Sequence, residues 1–301
     1  MKHNLITILG PTAVGKTRLA ALLAATFNGE IISADSRQVY RGMDIGTGKD
    51  LSDYVVHSQV VPYHIIDIID PTEEFNLFQF QKSFYSAYNN VCASGKIPFM
   101  VGGTGLYLHS ILMNYELEEL KFNGTRFEEL NKLDDSVLKS MLLEMNLKLH
   151  NTTDLLVKER IIKAIMISEN ESVNLDFKKE KINSLTIGVK LEREEIKKRI
   201  TARLKQRLAN GMIDEVKLLM TNGISYDRLA LFGLEYKFVA LYLKGELNYN
   251  DMYQKLNSAI HAFAKRQMTW FRKMEKEGIV INWINGADYD SAINIIKEKY
   301  F

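Results

Sequence analysis

The segment GPTAVGKT, Gly10–Thr17, constrains the fold of this chain more than any other feature of the sequence. It follows a compact apolar run, Leu5–Leu9, and opens a helical pattern, Lys16–Phe27, which is the context a phosphate-binding loop requires. Backbone N–H groups of such a loop point at phosphate oxygens beside a helix N-terminus. Lys16 would add a positive charge, and the Thr17 hydroxyl could ligate Mg²⁺. The loop predicts diphosphate or triphosphate binding, against the alternative of a tight turn without a ligand.

Apolar runs alternate with amphipathic segments along residues 1–113, as in parallel βα units. Further predicted strands are Glu30–Ser33, Tyr63–Ile69 and Ile97–Val101, and Phe75–Ala93 is a predicted helix. The strands lack polar alternation, which is typical of a sheet covered by helices on both faces. We therefore expect an α/β fold with a P-loop NTPase-like parallel sheet flanked by helices.

The pattern changes in residues 114–183, where charged segments with helical leucine spacing replace the strands. A strand pattern resumes at Ser184–Leu191, followed by predicted helices Arg193–Thr221 and Tyr249–Glu277 and a last strand, Ile279–Ile284. The sequence thus predicts a core domain of residues 1–113 and 184–301 and a small helical insert domain of residues 114–183.

Composition excludes several classes of protein. The 39 basic and 37 acidic residues give a net charge of only +2, so any nucleic-acid site must be a local basic face. One cysteine, Cys92, excludes a disulfide framework and a cysteine-based zinc site. The start of the sequence does not predict a secretory leader, and no apolar run predicts a membrane span. We expect a cytoplasmic, monomeric protein with no membrane contact.

Two polar residues follow predicted strands at the edge of the sheet where ligands bind. Asp35 ends the second strand and could be a general base, a magnesium partner or a helix N-cap. Thr104 lies in VGGTGLY, Val101–Tyr107, where it could face the ligand or cap the helix that follows. Asp67, near the end of the third predicted strand, could be a distant acidic partner for Mg²⁺ or a cap of the loop that follows.

Five segments in this order resemble the family of tRNA dimethylallyltransferases, also called tRNA isopentenyltransferases. They are GPTAVGKT, ADSRQVYRGMDIGTGK, HIIDIIDP, VGGTGLY and AKRQMTWFRK. The resemblance implies transfer of a dimethylallyl group from dimethylallyl diphosphate to N6 of the adenosine 3′-adjacent to the anticodon. It implies that Asp35, Thr104 and Lys16 are catalytic and that the cofactor is Mg²⁺, with Thr17 as its ligand. The implied diphosphate-binding residues of the loop are Gly10, Thr12, Ala13, Val14, Gly15, Lys16 and Thr17.

Arginines recur every four residues in the predicted helix Arg193–Thr221. Spacing alone favours a solvated helix face for Arg199, Arg203 and Arg207. The resemblance implies a diphosphate-binding arginine in this helix, and Arg199 or Arg203 is its match.

The implied partner is a tRNA anticodon stem-loop, whose target adenine would leave its stack to react. The implied contacts lie in the DSRQ segment, the insert and the last long helix: Asp35, Ser36, Arg37, Gln38, Thr104, Arg160, Lys163, Lys265, Arg266, Gln267, Trp270 and Arg272. Two segments depart from the family pattern. Arg160–Met166 stands where many members have an arginine-rich segment, and Phe232–Tyr236 replaces the usual G-Y-R/K.

Three other functions are consistent with parts of the sequence. The phosphate loop alone would suit a small-molecule kinase or phosphotransferase that uses ATP. A related prenyltransferase could act on free adenine nucleotides, as in cytokinin synthesis. A non-catalytic RNA-binding protein would leave Lys16, Thr17 and Asp35 without a role.

Overall fold

The computed structural model describes residues 3–117, 124–145, 158–169 and 179–301. A six-stranded parallel sheet has the order β5-β2-β6-β1-β7-β8. Its strands are β1 (Leu5–Leu9), β2 (Gly29–Ala34), β5 (Tyr63–His64), β6 (Ile97–Gly102), β7 (Ser184–Lys190) and β8 (Ile281–Asn285). A separate antiparallel hairpin contains β3 (Val55–Val56) and β4 (Gln59–Val60) and follows a 3₁₀ turn at Leu51–Tyr54. The predicted α/β fold with a P-loop-like parallel sheet is confirmed.

The chain divides into two compact units. One contains Met1–Tyr115 and Lys179–Phe301, and the other contains Glu116–Lys178. The helices, in chain order, are α1 (Lys16–Thr26), α2 (Leu77–Ala93), α3 (Gly105–Leu112), α4 (Gly124–Asn131), α5 (Asp135–Glu144), α6 (Lys158–Glu169), α7 (Arg193–Ala209), α8 (Met212–Thr221), α9 (Tyr226–Leu231), α10 (Leu234–Leu243), α11 (Tyr249–Lys276) and α12 (Tyr289–Lys299). Of these, α4, α5 and α6 form the smaller unit, and α4 and α5 both pack on α6.

The sheet is buried on both faces. Ile6 and Ile8 of β1 belong to one apolar cluster, which also contains the buried residues of α1 and α12. Leu5 and Leu9, which alternate with them and are fully buried, point to the opposite face. This two-sided burial explains the apolar strands without polar alternation.

Register brings three strand ends together at one edge. Leu9 of β1 pairs with Gly102 of β6 and with Gly188 of β7, and Ala34 of β2 also pairs with Gly102. Because parallel strands end at the same edge, the phosphate loop after β1, Asp35 after β2 and Gly103 after β6 become neighbours.

Two predicted elements differ from the structure. The third strand was predicted to extend to Ile69, but β5 ends at His64, since Ile65 and Asp67 have left-handed φ angles of 63° and 55°. The predicted helix Arg193–Thr221 is divided into α7 and α8 at Gly211, whose φ of 96° breaks the helix.

The smaller unit has its own apolar cluster, formed by buried residues of α4, α5 and α6. The members are Leu130, Leu138, Leu142, Ile161, Ile162, Ile165 and Met166. Among the described helices of the whole chain, none is long and apolar enough to cross a membrane.

Candidate active site

The loop between β1 and α1 has the backbone of an anion-binding turn. Ala13 and Gly15 have positive φ angles of 67° and 85°. Gly15 is the N-cap of α1, and because glycine has no side chain the cap offers no side-chain acceptor to the first N–H groups of the helix. At Gly10, a Cβ would lie 2.6 Å from the Val189 carbonyl oxygen, so the close approach of β7 requires glycine there. The loop is therefore shaped for phosphate oxygens.

A cavity of about 100 Å³ lies beside this loop. Its walls come from the phosphate loop, from the ends of β2 and β6, from residues 47–54 and from α7. The lining residues are Thr12, Ala13, Gly15, Lys16, Thr17, Ser33, Asp35, Gln38, Thr47, Gly48, Asp50, Asp53, Tyr54, Val101, Gly102, Arg203 and Arg207. The cavity thus brings together three basic and three acidic side chains.

Burial lowers the pKa of two cations of the cavity, Lys16 and Arg203. Burial lowers the pKa of Lys16 to about 8; the Asp35 carboxylate opposes this shift and the Arg203 cation adds to it. Burial also lowers the pKa of Arg203 to about 10, and the neighbouring Arg207 adds to this shift. Partly desolvated cations close to one another favour an anionic ligand, which would stabilise their charged forms.

The structure separates the two candidate arginines of α7. Arg203 lines the cavity, and its guanidinium donates to Thr12 Oγ1 of the phosphate loop. Arg199 lies one turn earlier and pairs with Glu195 at 2.7 Å, with 46% of its side chain exposed. Of these two arginines, Arg203 is the one placed to contact a diphosphate in this cavity.

Arg207 is a further cation of the cavity that sequence reasoning assigned to a solvated face. It is 9% exposed and its Nη1 lies 3.4 Å from Glu235 Oε1 on α10. Its Nη2 occupies the space that a Cβ on Gly48 would need, and Gly48 has a φ of 66°. The four-residue spacing places Arg207 on the same helix face as Arg203, but it relates Arg199 to Arg203 equally, so the sequence alone does not single out Arg207.

Asp35 lines the cavity at the end of β2. Its Oδ1 accepts a hydrogen bond from the Arg37 backbone N–H at 3.0 Å, which forms a local turn. No helix follows in the described residues 35–50, so Asp35 is not a helix N-cap. One carboxylate oxygen remains without a hydrogen bond from Arg37 and can act on a ligand.

Thr104 precedes α3, but its side chain makes no capping hydrogen bond. Its Oγ1 instead accepts from the Ser36 backbone N–H at 3.0 Å. Thr104 therefore joins the loop after β6 to the loop that carries Asp35. It is not among the described residues that line the cavity.

Residues 43–49, of which Thr47 and Gly48 line the cavity, are held in place by two charged side chains. Glu215 of α8 accepts hydrogen bonds from the backbone N–H groups of Asp44, Ile45 and Gly46 at 2.8, 2.7 and 3.0 Å. The fully buried Lys49 ammonium bonds Asp44 Oδ1 at 2.7 Å and also pairs with Asp67. The Asp67 carboxylate is thus paired with Lys49 and is not among the described residues that line the cavity. Both observations argue against Asp67 as a magnesium partner.

The predicted RNA contacts on α11 fall into two groups. Lys265, Arg266 and Arg272 are exposed. Gln267 is 5% exposed, and both ends of its amide bond backbone groups, so it is not available to an RNA. Trp270 is half-buried and packs against Gly105 and His109.

The other predicted RNA contacts lie in both units. Ser36 and Arg37 follow Asp35, and the Arg37 guanidinium donates to the Leu231 carbonyl oxygen at 2.5 Å. Gln38 lines the cavity and donates to the Gly48 carbonyl oxygen at 3.1 Å. Lys163 lies on α6 of the smaller unit, as does Arg160, whose side chain is outside the described part of the structure.

A sequence model of the family described as IPP transferase matches residues 38–274. The chain belongs to this family. It is 53% identical over 286 residues to tRNA dimethylallyltransferase 1 of Geotalea uraniireducens, an alignment that covers 95% of this chain and 94% of the relative. It is 49% identical to tRNA dimethylallyltransferase 2 of Phocaeicola vulgatus, with 99% of both chains covered.

A solved structure of the IPP transferase family has the same fold. The tRNA isopentenylpyrophosphate transferase of Bacillus halodurans superimposes with a TM-score of 0.71 at 33% identity, covering 99% of this chain and 97% of that one. The resemblance stated from the sequence motifs is confirmed, and the chain is a member of a family of tRNA-modifying prenyltransferases.

Proposed function

We propose that this protein transfers a dimethylallyl group from dimethylallyl diphosphate to N6 of the adenosine 3′-adjacent to the anticodon of tRNAs, releasing diphosphate. The observation that carries the proposal is the cavity in which the phosphate loop, Arg203 and Asp35 meet. The names of the Geotalea and Bacillus proteins, which specify tRNA and a dimethylallyl or isopentenyl donor, support the choice of substrates.

The diphosphate lies, in this proposal, against the N-terminus of α1. The N–H groups of the phosphate loop, the Lys16 ammonium and the Arg203 guanidinium surround its oxygens. When the allylic C–O bond breaks, negative charge grows on the departing diphosphate. Donors that are already in place stabilise that charge without reorganising, which lowers the barrier to ionisation. Arg207 adds a second guanidinium to the same wall.

Asp35 is the proposed base for the exocyclic amine. The electron pair of N6 attacks the allylic carbon while the bond from that carbon to the diphosphate oxygen breaks, and Asp35 accepts the proton that N6 loses. Thr104 holds the loop of Asp35 by accepting from the Ser36 N–H. It does not line the cavity but follows Gly102, which does, and the family resemblance makes Thr104 the proposed contact to the leaving oxygen. Because adenine N6 is a weak nucleophile, holding it close to the allylic carbon contributes as much as removing its proton.

The residues of the cavity fit Mg²⁺ carried by the substrate. In the described part of the chain, no group of three or more His, Cys, Asp or Glu side chains could hold a metal ion by itself. Mg²⁺ keeps several waters and is commonly bound by substrate phosphates with one or two protein oxygens. The Thr17 hydroxyl lines the cavity and would supply such an oxygen. Bound there, the ion would neutralise part of the charge on the leaving diphosphate.

The RNA side of the proposal depends on local basic residues. Lys265, Arg266 and Arg272 are exposed on α11, and their cations suit RNA phosphates. The helical insert, with Arg160 and Lys163 on α6, is the second proposed contact with the anticodon stem-loop. Two local patches are consistent with the small net charge of +2.

The test is transfer to synthetic anticodon stem-loops that differ at one atom group. One RNA carries adenosine 3′ to the anticodon, and the control carries a purine nucleoside without the N6 amine at that position. With dimethylallyl diphosphate and Mg²⁺, we expect a prenylated product from the first RNA alone, as detected by nucleoside mass spectrometry. Equal transfer to both RNAs would refute N6 as the acceptor.

A further inference from the structure

Gln267 is buried in a helix whose neighbouring positions face solvent. Its side chain is 5% exposed, whereas Lys265, Arg266 and Thr269 on the same helix are exposed. Its Oε1 accepts from the Thr12 backbone N–H at 2.9 Å, and its Nε2 donates to the Gly103 carbonyl oxygen at 2.8 Å. One amide therefore bridges the loop after β1 and the turn after β6.

Both bridged segments form walls of the diphosphate cavity. Thr12 and Gly102 line it directly. Thr12 is held at a second point, since the Arg203 guanidinium donates to its Oγ1. Thr12 is thus held through its backbone N–H by Gln267 and through its hydroxyl by Arg203, and of these two side chains Gln267 also bonds the Gly102–Thr104 turn.

The backbone leaves room for this amide at Gly103. A Cβ at that position would overlap Gln267 Nε2 and would lie 3.2 Å from the Gly10 carbonyl oxygen. The φ angle of Gly103 is not in the left-handed region, so its backbone conformation does not require glycine. The close approach of the Gln267 amide does.

We infer that Gln267 is a positioning residue for diphosphate binding: its amide fixes the phosphate loop to the Gly102–Thr104 turn before the substrate arrives. This inference rests on the proposed function. The Thr12 N–H is used by Gln267, so the later N–H groups of the loop are the ones aimed at phosphate. A loop without this tie samples other conformations, and the substrate must order it at the expense of affinity.

The first test compares Gln267→Met, which keeps the side-chain length and loses both hydrogen bonds, with Thr269→Ala on the exposed face of the same helix. Binding of inorganic diphosphate is measured by calorimetry, and KM and kcat are measured for dimethylallyl diphosphate and tRNA. We expect roughly tenfold weaker diphosphate binding in Gln267→Met and a similar rise in KM for the allylic substrate. The KM of Gln267→Met for tRNA should stay within about twofold of the wild-type value, and so should all the constants of Thr269→Ala.

Two results would overturn the inference. Unchanged diphosphate binding in Gln267→Met would show that the tie does not shape the loop. A raised KM for tRNA with normal diphosphate binding would assign Gln267 to RNA recognition. Diphosphate binding is measured without tRNA, so the inference and the proposed function can fail separately. A wild-type protein that binds diphosphate and fails to prenylate tRNA would refute the proposed function. The comparison of diphosphate binding between wild type and Gln267→Met would still decide the inference.

A double-mutant cycle gives a second test that does not depend on Gln267→Met folding. Gly103→Ala should displace the amide and weaken diphosphate binding roughly tenfold in the wild-type background. In the Gln267→Ala background the overlap with Nε2 is gone and only the 3.2 Å contact with the Gly10 carbonyl oxygen remains, so the same change should add less than about twofold. Additive losses would show that Gly103 and Gln267 act independently and would overturn the inference.

Discussion

Glu215 anchors the loop of residues 43–49, which contributes Thr47 and Gly48 to the wall of the cavity. Its carboxylate accepts three backbone N–H bonds from residues 44–46 and a fourth hydrogen bond from the Tyr236 hydroxyl at 2.7 Å. A hydrogen bond to a charged group contributes about 1.5–3 kcal/mol, and part of that is recovered from water when the partner is removed. Because Glu215 is half-buried, Glu215→Ala should lower the free energy of unfolding by about 2–4 kcal/mol.

Glu215→Gln should cost less, because one oxygen remains to accept from the N–H groups of Asp44 and Ile45. We expect about 1–2 kcal/mol for this variant. The matched control is Asp214→Ala, the preceding residue, whose carboxylate pairs with Lys217 at 3.1 Å on the exposed face of α8. Surface pairs of this kind contribute little, so its effect should stay below about 0.5 kcal/mol.

The assay combines urea unfolding with hydrogen exchange of the amides of residues 44–46. Those amides should exchange faster in both Glu215 variants than in Asp214→Ala, and KM for dimethylallyl diphosphate should rise, since Thr47 and Gly48 of the same loop line the cavity. If Glu215→Ala matched Asp214→Ala in stability and in amide exchange, the proposed anchoring of this loop by Glu215 would be wrong.

Three further predictions concern the cavity itself. Asp35→Asn should keep diphosphate binding, measured by calorimetry, and should slow single-turnover prenyl transfer by roughly 10²–10⁴-fold, whereas an unchanged rate would exclude Asp35 as the base. Arg203→Met should raise KM for dimethylallyl diphosphate roughly thirtyfold or more, and Arg199→Met, which removes a pair outside the cavity, should change it less than about twofold; equal effects would contradict the assignment. Since the pKa of Lys16 is lowered to about 8, its charge is lost above that pH and a bound diphosphate should restore it. Diphosphate binding near pH 8 should therefore take up protons, as shown by calorimetry in buffers of different ionisation enthalpy, and Lys16→Met should reduce that uptake.

Much of the fold follows from local sequence. The apolar run before Gly10 and the helix after Lys16 are sufficient to predict a phosphate loop in a parallel sheet. The predicted strand Tyr63–Ile69 was too long, because the left-handed conformation of Ile65 depends on tertiary packing and not on a glycine signal. The division of the long predicted helix at Gly211 had a local signal in the Asn210-Gly211 pair.

The sequence predicted the parts of the site that a motif defines. It did not predict the parts that are defined by contacts between distant segments of the chain. Asp35 and Lys16 were found from their positions after strand patterns. Gln267 was expected to contact RNA, and only the folded chain shows that its amide reaches Thr12 and Gly103. The choice between Arg199 and Arg203 likewise depends on which turn of α7 faces the phosphate loop.

The same limit applies to residues that carry no motif. Glu215 binds backbone N–H groups of another segment, and the Arg207 guanidinium fills the space beside Gly48. The pattern of residues within one helix does not encode partners on other elements. Such residues are found from their hydrogen bonds and burial.

The measurement that tests the central claim most directly is the distribution of label from dimethylallyl diphosphate among unmodified tRNA, AMP and ATP, with Mg²⁺ present. We predict label in tRNA alone, located on the adenosine next to the anticodon. Label in AMP or ATP would favour an enzyme acting on free nucleotides. Absence of transfer together with hydrolysis of ATP would mean that the phosphate loop serves a nucleoside triphosphate, which would contradict the account.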